Sequence, residues 1–138
     1  MTSETSTPPD SSAAVRTRDL IYRWPKSGTR LHFPDLDLSA GSHLFIKGAS
    51  GSGKSTLLSL LGGMLRPASG SIALLGQDLG PLSNGQRDRF RADHMGVIFQ
   101  QFNLVPYLST LANITLPCRL SAQRQQRTHP NARAQATA

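Results

Sequence analysis

The stretch Gly48-Ala-Ser-Gly-Ser-Gly53-Lys54-Ser55 constrains this chain more than any other part of it. It fits the phosphate-cradling pattern G-x-x-x-x-G-K-[ST] without a gap. Glycines at 48, 51 and 53 let the backbone bend tightly and aim successive N–H groups at an anion. A helix opening near Lys54 adds the positive end of its dipole. The Lys54 ammonium has the reach and charge for β- and γ-phosphates, and the Ser55 hydroxyl can ligate Mg²⁺. Ser50, Ser52 and Thr56 complete the candidate phosphate-binding set. The bland rival is a glycine-rich turn with an incidental lysine.

Context decides between the two. His43-Leu-Phe-Ile-Lys-Gly48 reads as a short buried strand running into the loop. From Lys54 to Leu65 the apolar residues Leu57, Leu58, Leu60, Leu61, Met64 and Leu65 recur at helical spacing with a wide apolar face. Strand before and helix after is the setting the pattern requires. The phosphate-loop reading therefore prevails.

Around this centre the chain predicts three regions. Residues 1–14 have no large apolar residue after Met1 and read as a disordered leader. Residues 121–138 read as a disordered polar tail. Residues 15–120 leave about 105 positions able to pack, enough for one small core. Val15–Trp24 reads as a strand closed by the turn "WPKSG", and Arg30–Leu38 as an edge-like strand broken at Pro34. Arg66-Pro67 stops the helix after the loop, and Ser71–Leu75 begins another strand. Residues 83–93 read as an exposed helix, with Ser83 or Asn84 as its cap. Met95–Gln100 reads as a strand, and Thr110–Leu116 as a short element ended by Pro117. Strands alternating with one long helix indicate an α/β architecture.

Composition narrows the function classes. The formal net charge is +7, but the bases are scattered or cluster as Arg87, Arg89 and Arg91 beside Asp88 and Asp93. That alternation marks a solvated helix face, and no aromatics interleave with the bases as stacking platforms for nucleic acid would. The single cysteine, Cys118, rules out an intramolecular disulfide and a cysteine-based zinc site. The N-terminus is polar and acidic, unlike a secretory signal. The longest nearly apolar run, Leu57–Leu65, is far short of a membrane span. The expected location is cytoplasmic, with any membrane contact made through a partner.

The loop and the residues after it resemble a known family. "GASGSGKSTLLSLLGGMLRPASGSIALLGQDL" followed by "MGVIFQQFNLVPYLSTLANITLP" is similar to the nucleotide-binding subunit of ABC transporters, in the lipoprotein-releasing and macrolide-exporter branch. The similarity runs from about Val15 to Leu120. It implies the N-terminal part of a P-loop ATPase fold, α/β with an antiparallel β portion, and ATP with Mg²⁺ as cofactors. By position it makes Gln100 the Q-loop glutamine, a contact for Mg²⁺ and the attacking water. It places Trp24 where the family stacks an aromatic on adenine. The alternative for Trp24 is a surface tryptophan packed on the turn proline. The resemblance also implies a head-to-tail homodimer in the intact family. It implies a membrane-spanning partner docking at the 100–107 loop, at the inner face of the plasma membrane.

One segment imitates a further family motif. "LSNGQR", residues 82–87, looks like the family's signature L-S-G-G-Q, but it precedes Gln100 where the signature should follow. It is read as an exposed turn and helix start. The signature itself, an apolar strand ending in Asp-Glu and a later strand histidine are expected after Pro117 and are not found. His129 lies in the polar tail. Together these readings give an ATP-binding subunit of an ABC transporter, cut short before its hydrolytic half, that binds ATP without turning it over. The alternatives are a non-hydrolysing remnant of a shortened gene and a soluble ABC-type or other P-loop ATPase.

Overall fold

The computed structural model describes residues 13–99 and 103–128. The chain divides into two compact units, one ending at Leu82 and the other beginning at Ser83.

The first unit is organised by β1 (Ala13–Arg23), the strand expected over Val15–Trp24, which begins two residues earlier, inside the stretch expected as disordered leader. One edge of β1 pairs with β2 (Arg30–His32) and β3 (Leu36–Ser39), and the other with β4 (Ser69–Leu74). A short β5 (Gln77–Asp78) completes the sheet beside β4. Every pairing is antiparallel. The break between β2 and β3 falls at Pro34, which has no N–H to give the ladder. Thr17, fully buried in β1, spans that break. Its hydroxyl donates to the Pro34 carbonyl at 3.3 Å and accepts from the Leu36 N–H at 3.0 Å, so no polar group is stranded there.

A bulge bends β1 between Arg18 and Ile21, with Asp19 at φ 48. The Asp35 carboxylate accepts the displaced Asp19 N–H at 2.8 Å. Opposite the bulge sits Gly70, where an added Cβ would lie 2.4 Å from the Asp19 carbonyl oxygen, so only glycine fits.

Helix α1 (Lys54–Leu61) buries Thr56, Leu57 and Leu60 and exposes Leu58, the one-sided pattern that its leucines predict. It ends four residues before the expected Leu65. Gly63 takes a left-handed φ of 65, and the N–H groups of Met64 and Leu65 both turn back to the Ser59 carbonyl. A glycine-terminated helix end outweighs continued apolar periodicity here. The buried apolar residues Leu20, Tyr22, Leu57, Leu60, Ile72, Leu74 and Leu79 all belong to this unit.

The expected strand over residues 43–48 is not formed. Leu44 is exposed and Phe45 is 86% exposed. Among the described residues, no backbone–backbone hydrogen bond involves residues 43–47. Apolarity marks a segment for burial, but a strand exists only beside a paired neighbour.

In the second unit, α2 (Asn84–His94) starts on a reciprocal capping box. The Ser83 hydroxyl accepts from the Gln86 N–H at 3.3 Å, and the Gln86 side-chain oxygen accepts from the Ser83 N–H at 2.8 Å. The signature look-alike is thus a helix start, as its position in the chain predicts. Helix α3 (Thr110–Leu120) is capped by Ser109 and continues through Pro117, contrary to the expectation that the proline ends it. Proline's fixed φ is itself helical, so the helix can pass it at the cost of one hydrogen bond and crowding against the carbonyl four residues before, with the ring exposed.

Helix α4 (Ala122–Thr128) occupies what the sequence reading treats as polar tail. Its start is tied down: the Ser121 hydroxyl accepts from the Arg124 N–H at 3.1 Å and donates to the Asp93 carboxylate. The Arg124 guanidinium donates to the Met95 carbonyl at 2.6 Å. Residues 95–99, expected as a strand, form none, and Val97, Ile98 and Phe99 are exposed.

Candidate functional site

The phosphate loop lies between residue 47 and α1, and its glycines answer separate steric demands. Gly53 caps α1 with φ 89, in the left-handed region that favours glycine. Its carbonyl accepts the Leu57 N–H at 2.8 Å. An added Cβ at Gly53 would also come within 3.1 Å of Leu31 Cδ1 and 3.3 Å of Phe33 Cε1. Gly48 serves close approach instead, since a Cβ there would meet Ser52 Oγ at 2.7 Å.

Lys54 Nζ donates to the Gly48 carbonyl at 2.8 Å and to the Ala49 carbonyl at 2.6 Å. The ammonium is therefore held over the mouth of the loop by the loop's own backbone. Both contacts are exposed, so an anion entering the loop exchanges two solvent-accessible hydrogen bonds for charge-assisted ones. Ser55 follows directly and is exposed at the first turn of α1.

A cleft of about 660 Å³ adjoins the loop. Ser50, Gly51, Gly53, Lys54, Ser55 and Thr56 form one side, and Trp24, Ser27, Thr29 and Leu31 form the other. The structure thus brings Trp24, at the end of β1, to the same cavity as the lysine and hydroxyls of the loop. Gly48 and Ser52 approach each other within the loop and are not among the residues that line the cleft. Trp24 is 43% exposed, and its ring meets Tyr22 edge-on with centroids 5.3 Å apart. That contact fixes the indole from one edge and leaves much of it accessible. Gln100, the expected Mg²⁺ contact, lies outside the described residues, as do Gln101, Phe102 and His129.

The sequence profile of the ABC transporter family matches residues 31–138. The chain belongs to that family. It is 38% identical over 114 residues to the lipoprotein-releasing system ATP-binding protein LolD of Chromohalobacter salexigens, covering 82% of this chain and 48% of that protein. It is 45% identical over 103 residues to the macrolide export ATP-binding/permease protein MacB 2 of Aeromonas hydrophila, covering 72% and 16%. In three dimensions it is similar to the ATP-binding cassette MJ0796 in a dimeric post-hydrolysis state bound to ADP and Pi, with a TM-score of 0.68 at 26% identity. That match covers 89% of this chain and 54% of the other. The chain spans less than half the length of these two curated relatives. The fold is the N-terminal part of a P-loop ATPase cassette, as the sequence resemblance implies.

Ser27, Thr29 and Leu31 line the cleft, although the sequence reading does not single them out. A signal was present. Leu31 lies in β2 and Thr29 immediately precedes that strand, in the turn that the sequence already marks with "WPKSG". The anchor that turns this segment toward the cleft, Leu31 against Gly53, is visible only in three dimensions.

Among the described residues, no group of three His, Cys, Asp or Glu side chains is placed to hold a metal ion. Mg²⁺ bound through nucleotide phosphates needs no such group. Mg²⁺ takes a hydroxyl or carboxylate and fills its shell with phosphate oxygens and water. The exposed Ser55 hydroxyl beside Lys54 fits that chemistry. No helix of the described residues is long and apolar enough to cross a membrane.

Proposed function

We propose that this chain is the ATP-binding portion of an ABC transporter and binds Mg-ATP in the cleft between Trp24 and the phosphate loop. The observation that carries the reading is the lining of that cavity. It offers an accessible aromatic ring on one side and, on the other, an ammonium, hydroxyls and glycine backbone in a helix-capping loop. A base binds to a flat ring, whereas a polyphosphate binds to N–H groups and cations. A nucleoside triphosphate carries both in one molecule.

In this reading Lys54 leaves the Gly48 and Ala49 carbonyls for the β- and γ-phosphates, while the backbone N–H groups of residues 50–54 surround the β-phosphate. Ser55 supplies one Mg²⁺ ligand and Gln100 a second contact to the ion and the attacking water. Mg²⁺ contributes charge neutralisation of the phosphate oxygens when bound. Trp24 stacks on adenine. The structure of MJ0796 with ADP and Pi, and the ATP-binding proteins among the relatives, support nucleotide as the ligand. Dimerisation through a second cassette, and docking of a membrane-spanning subunit on the 100–107 loop at the cytoplasmic face, belong to the same proposal.

The residues lining the cleft are hydroxyls, glycines, one ammonium, an indole and a leucine. They suit binding. Orienting a water for attack takes a carboxylate, histidine or comparable group. We therefore expect ATP to bind to this chain with phosphate release near background.

Calorimetric titration with Mg-ATP tests the reading. Lys54→Ala should weaken ATP roughly 10- to 100-fold, the range for losing charge-assisted hydrogen bonds. Arg89→Ala, on the exposed face of α2, should leave the curve unchanged. Equal curves for the two variants would overturn the phosphate-loop assignment. Steady, Lys54-dependent phosphate release by the wild-type chain would overturn the expectation of binding without turnover.

A further inference from the structure

The turn between β1 and β2 carries two hydroxyls that the nucleotide reading leaves unused. Ser27 Oγ donates to Thr29 Oγ1 at 2.9 Å and accepts the Thr29 backbone N–H at 3.3 Å. The turn is pinned to Trp24 from both sides, since the Trp24 N–H donates to the Thr29 carbonyl at 2.9 Å and the Trp24 carbonyl accepts the Gly28 N–H at 2.9 Å. Thr29 thus sits directly across the turn from the indole.

Two residues on, Leu31 pairs with Tyr22 in the β1–β2 ladder and presses its Cδ1 to within 3.1 Å of where a Gly53 Cβ would lie. Thr29 immediately precedes β2, and its carbonyl bond from Trp24 carries the β1–β2 pairing past the strand end to the turn. One end of this short run therefore abuts the last glycine of the phosphate loop, and the other abuts the tryptophan. Thr29 lines the cleft at its tryptophan end, two residues from the leucine that abuts the phosphate loop. In a nucleotide, the sugar is what lies between base and phosphates.

We infer that Thr29 is a specificity-determining residue that reads the ribose hydroxyls of the bound nucleotide, with Ser27 setting the orientation of its side chain. This rests on the proposed ATP binding and adds the recognition of the sugar. The hydrogen-bond inventory fits. A threonine hydroxyl has one proton to donate and two lone pairs. Thr29 Oγ1 accepts one bond from Ser27, which leaves its own proton and one lone pair for a ligand. A vicinal diol offers matching acceptors and donors. Thr29 and Ser27 are exposed at the cleft wall, so each is solvated before the sugar arrives and no buried group is stranded without it. The contribution is that of an ordinary exchanged hydrogen bond, about 3- to 10-fold in affinity.

The test is calorimetric titration of the full chain with Mg-ATP and with its 2′,3′-dideoxy analogue, which keeps the base and phosphates and lacks both ribose hydroxyls. Wild type should bind ATP about 3- to 10-fold more tightly than the analogue. Thr29→Val, which keeps the shape and removes the hydroxyl, should bring ATP to the analogue's affinity and leave the analogue unchanged. Thr29→Ser should restore the preference. Equal affinities of wild type for ATP and the analogue, or an equal loss for both in Thr29→Val, would overturn the assignment of the sugar to Thr29 while leaving ATP binding intact. Absence of ATP binding by wild type would overturn the nucleotide reading itself, and this inference with it.

Discussion

The two units of this chain differ in whether they bury apolar side chains. The first buries seven apolar side chains, with Leu60 and Leu20 essentially closed to solvent. In the second, the buried residues among those described are Arg87 and Ser121, while Val97, Ile98, Phe99, Leu104, Tyr107, Ile114 and Leu120 are exposed. The first unit pairs β1 with β2 and β4 with β5 through hairpins, while its central β1–β4 pairing joins segments distant in sequence, such as Ile21 with Ser69. The second is held by caps and polar ties, such as Ser83 with Gln86 and Ser121 with Asp93. Antiparallel pairing can be completed locally, whereas an apolar run suited to a parallel sheet waits for neighbours distant in sequence. The largely exposed run at residues 43–47 shows that the first unit shares this condition along one segment.

Core truncation tests that contrast most severely. Leu60→Ala removes a side chain with no exposed surface and should destabilise the first unit by about 2–5 kcal/mol. Urea denaturation followed by tryptophan emission reads that unit, since Trp24 is the only tryptophan. Ile98→Ser, at a residue 99% exposed, should change the same transition by less than about 0.5 kcal/mol and reduce self-association in ultracentrifugation. A large loss of stability from Ile98→Ser would break the distinction between the units.

A smaller effect sharpens the account of the second unit. Ser83→Ala removes the acceptor for the Gln86 N–H and should cost about 1 kcal/mol of α2 stability, read as lost helicity in thermal melts. No change would mean that the capping box does not set this helix end.

The smallest effect is electrostatic. Asp37 accepts from Arg16 at 2.9 Å and from Arg18 at 2.6 Å across the β1–β3 pair. The hydrogen bonds from Arg16 and then Arg18 hold its carboxyl below the usual carboxylate range. A folded-state pKa below the unfolded one contributes stability that is present above the unfolded value and lost as pH falls through the folded one. Asp37→Asn should therefore be slightly less stable than wild type near neutrality, and the gap should close as the pH falls through the lowered folded-state value of Asp37. Being fully at the surface, the pair should also weaken with added salt. A gap that widens in acid would contradict the assignment.

Much of this was legible in the residues because local chemistry decided it. Pro34 breaks the β2–β3 edge, Ser83 followed by Gln86 caps a helix, and the glycines at 51 and 53 make a tight left-handed loop before α1. What failed depended on neighbours. The runs at 43–48 and 95–99 signal burial through Leu44, Phe45, Ile98 and Phe99, yet no sequence pattern says whether a pairing strand is at hand. Pro117 misleads because an interior proline disfavours a helix without forbidding one, and α3 runs on to Leu120. The helix at 122–128 is hidden in the sequence because its anchors, Asp93 and Met95, lie nearly thirty residues away. In the cleft, Trp24 and the loop are readable, while Thr29 emerges only once Leu31 is seen against Gly53.

The central claim is that one cleft takes a base at Trp24 and phosphates at the loop. Titration followed by the emission of Trp24 tests it most directly. Mg-ATP should change the emission of the wild-type chain in a saturable way, and inorganic triphosphate should occupy the loop with little change. In Lys54→Ala the ATP response should move to roughly 10- to 100-fold higher concentration. Saturable ATP binding by calorimetry with silent Trp24 emission would contradict the account, because the base would then lie elsewhere.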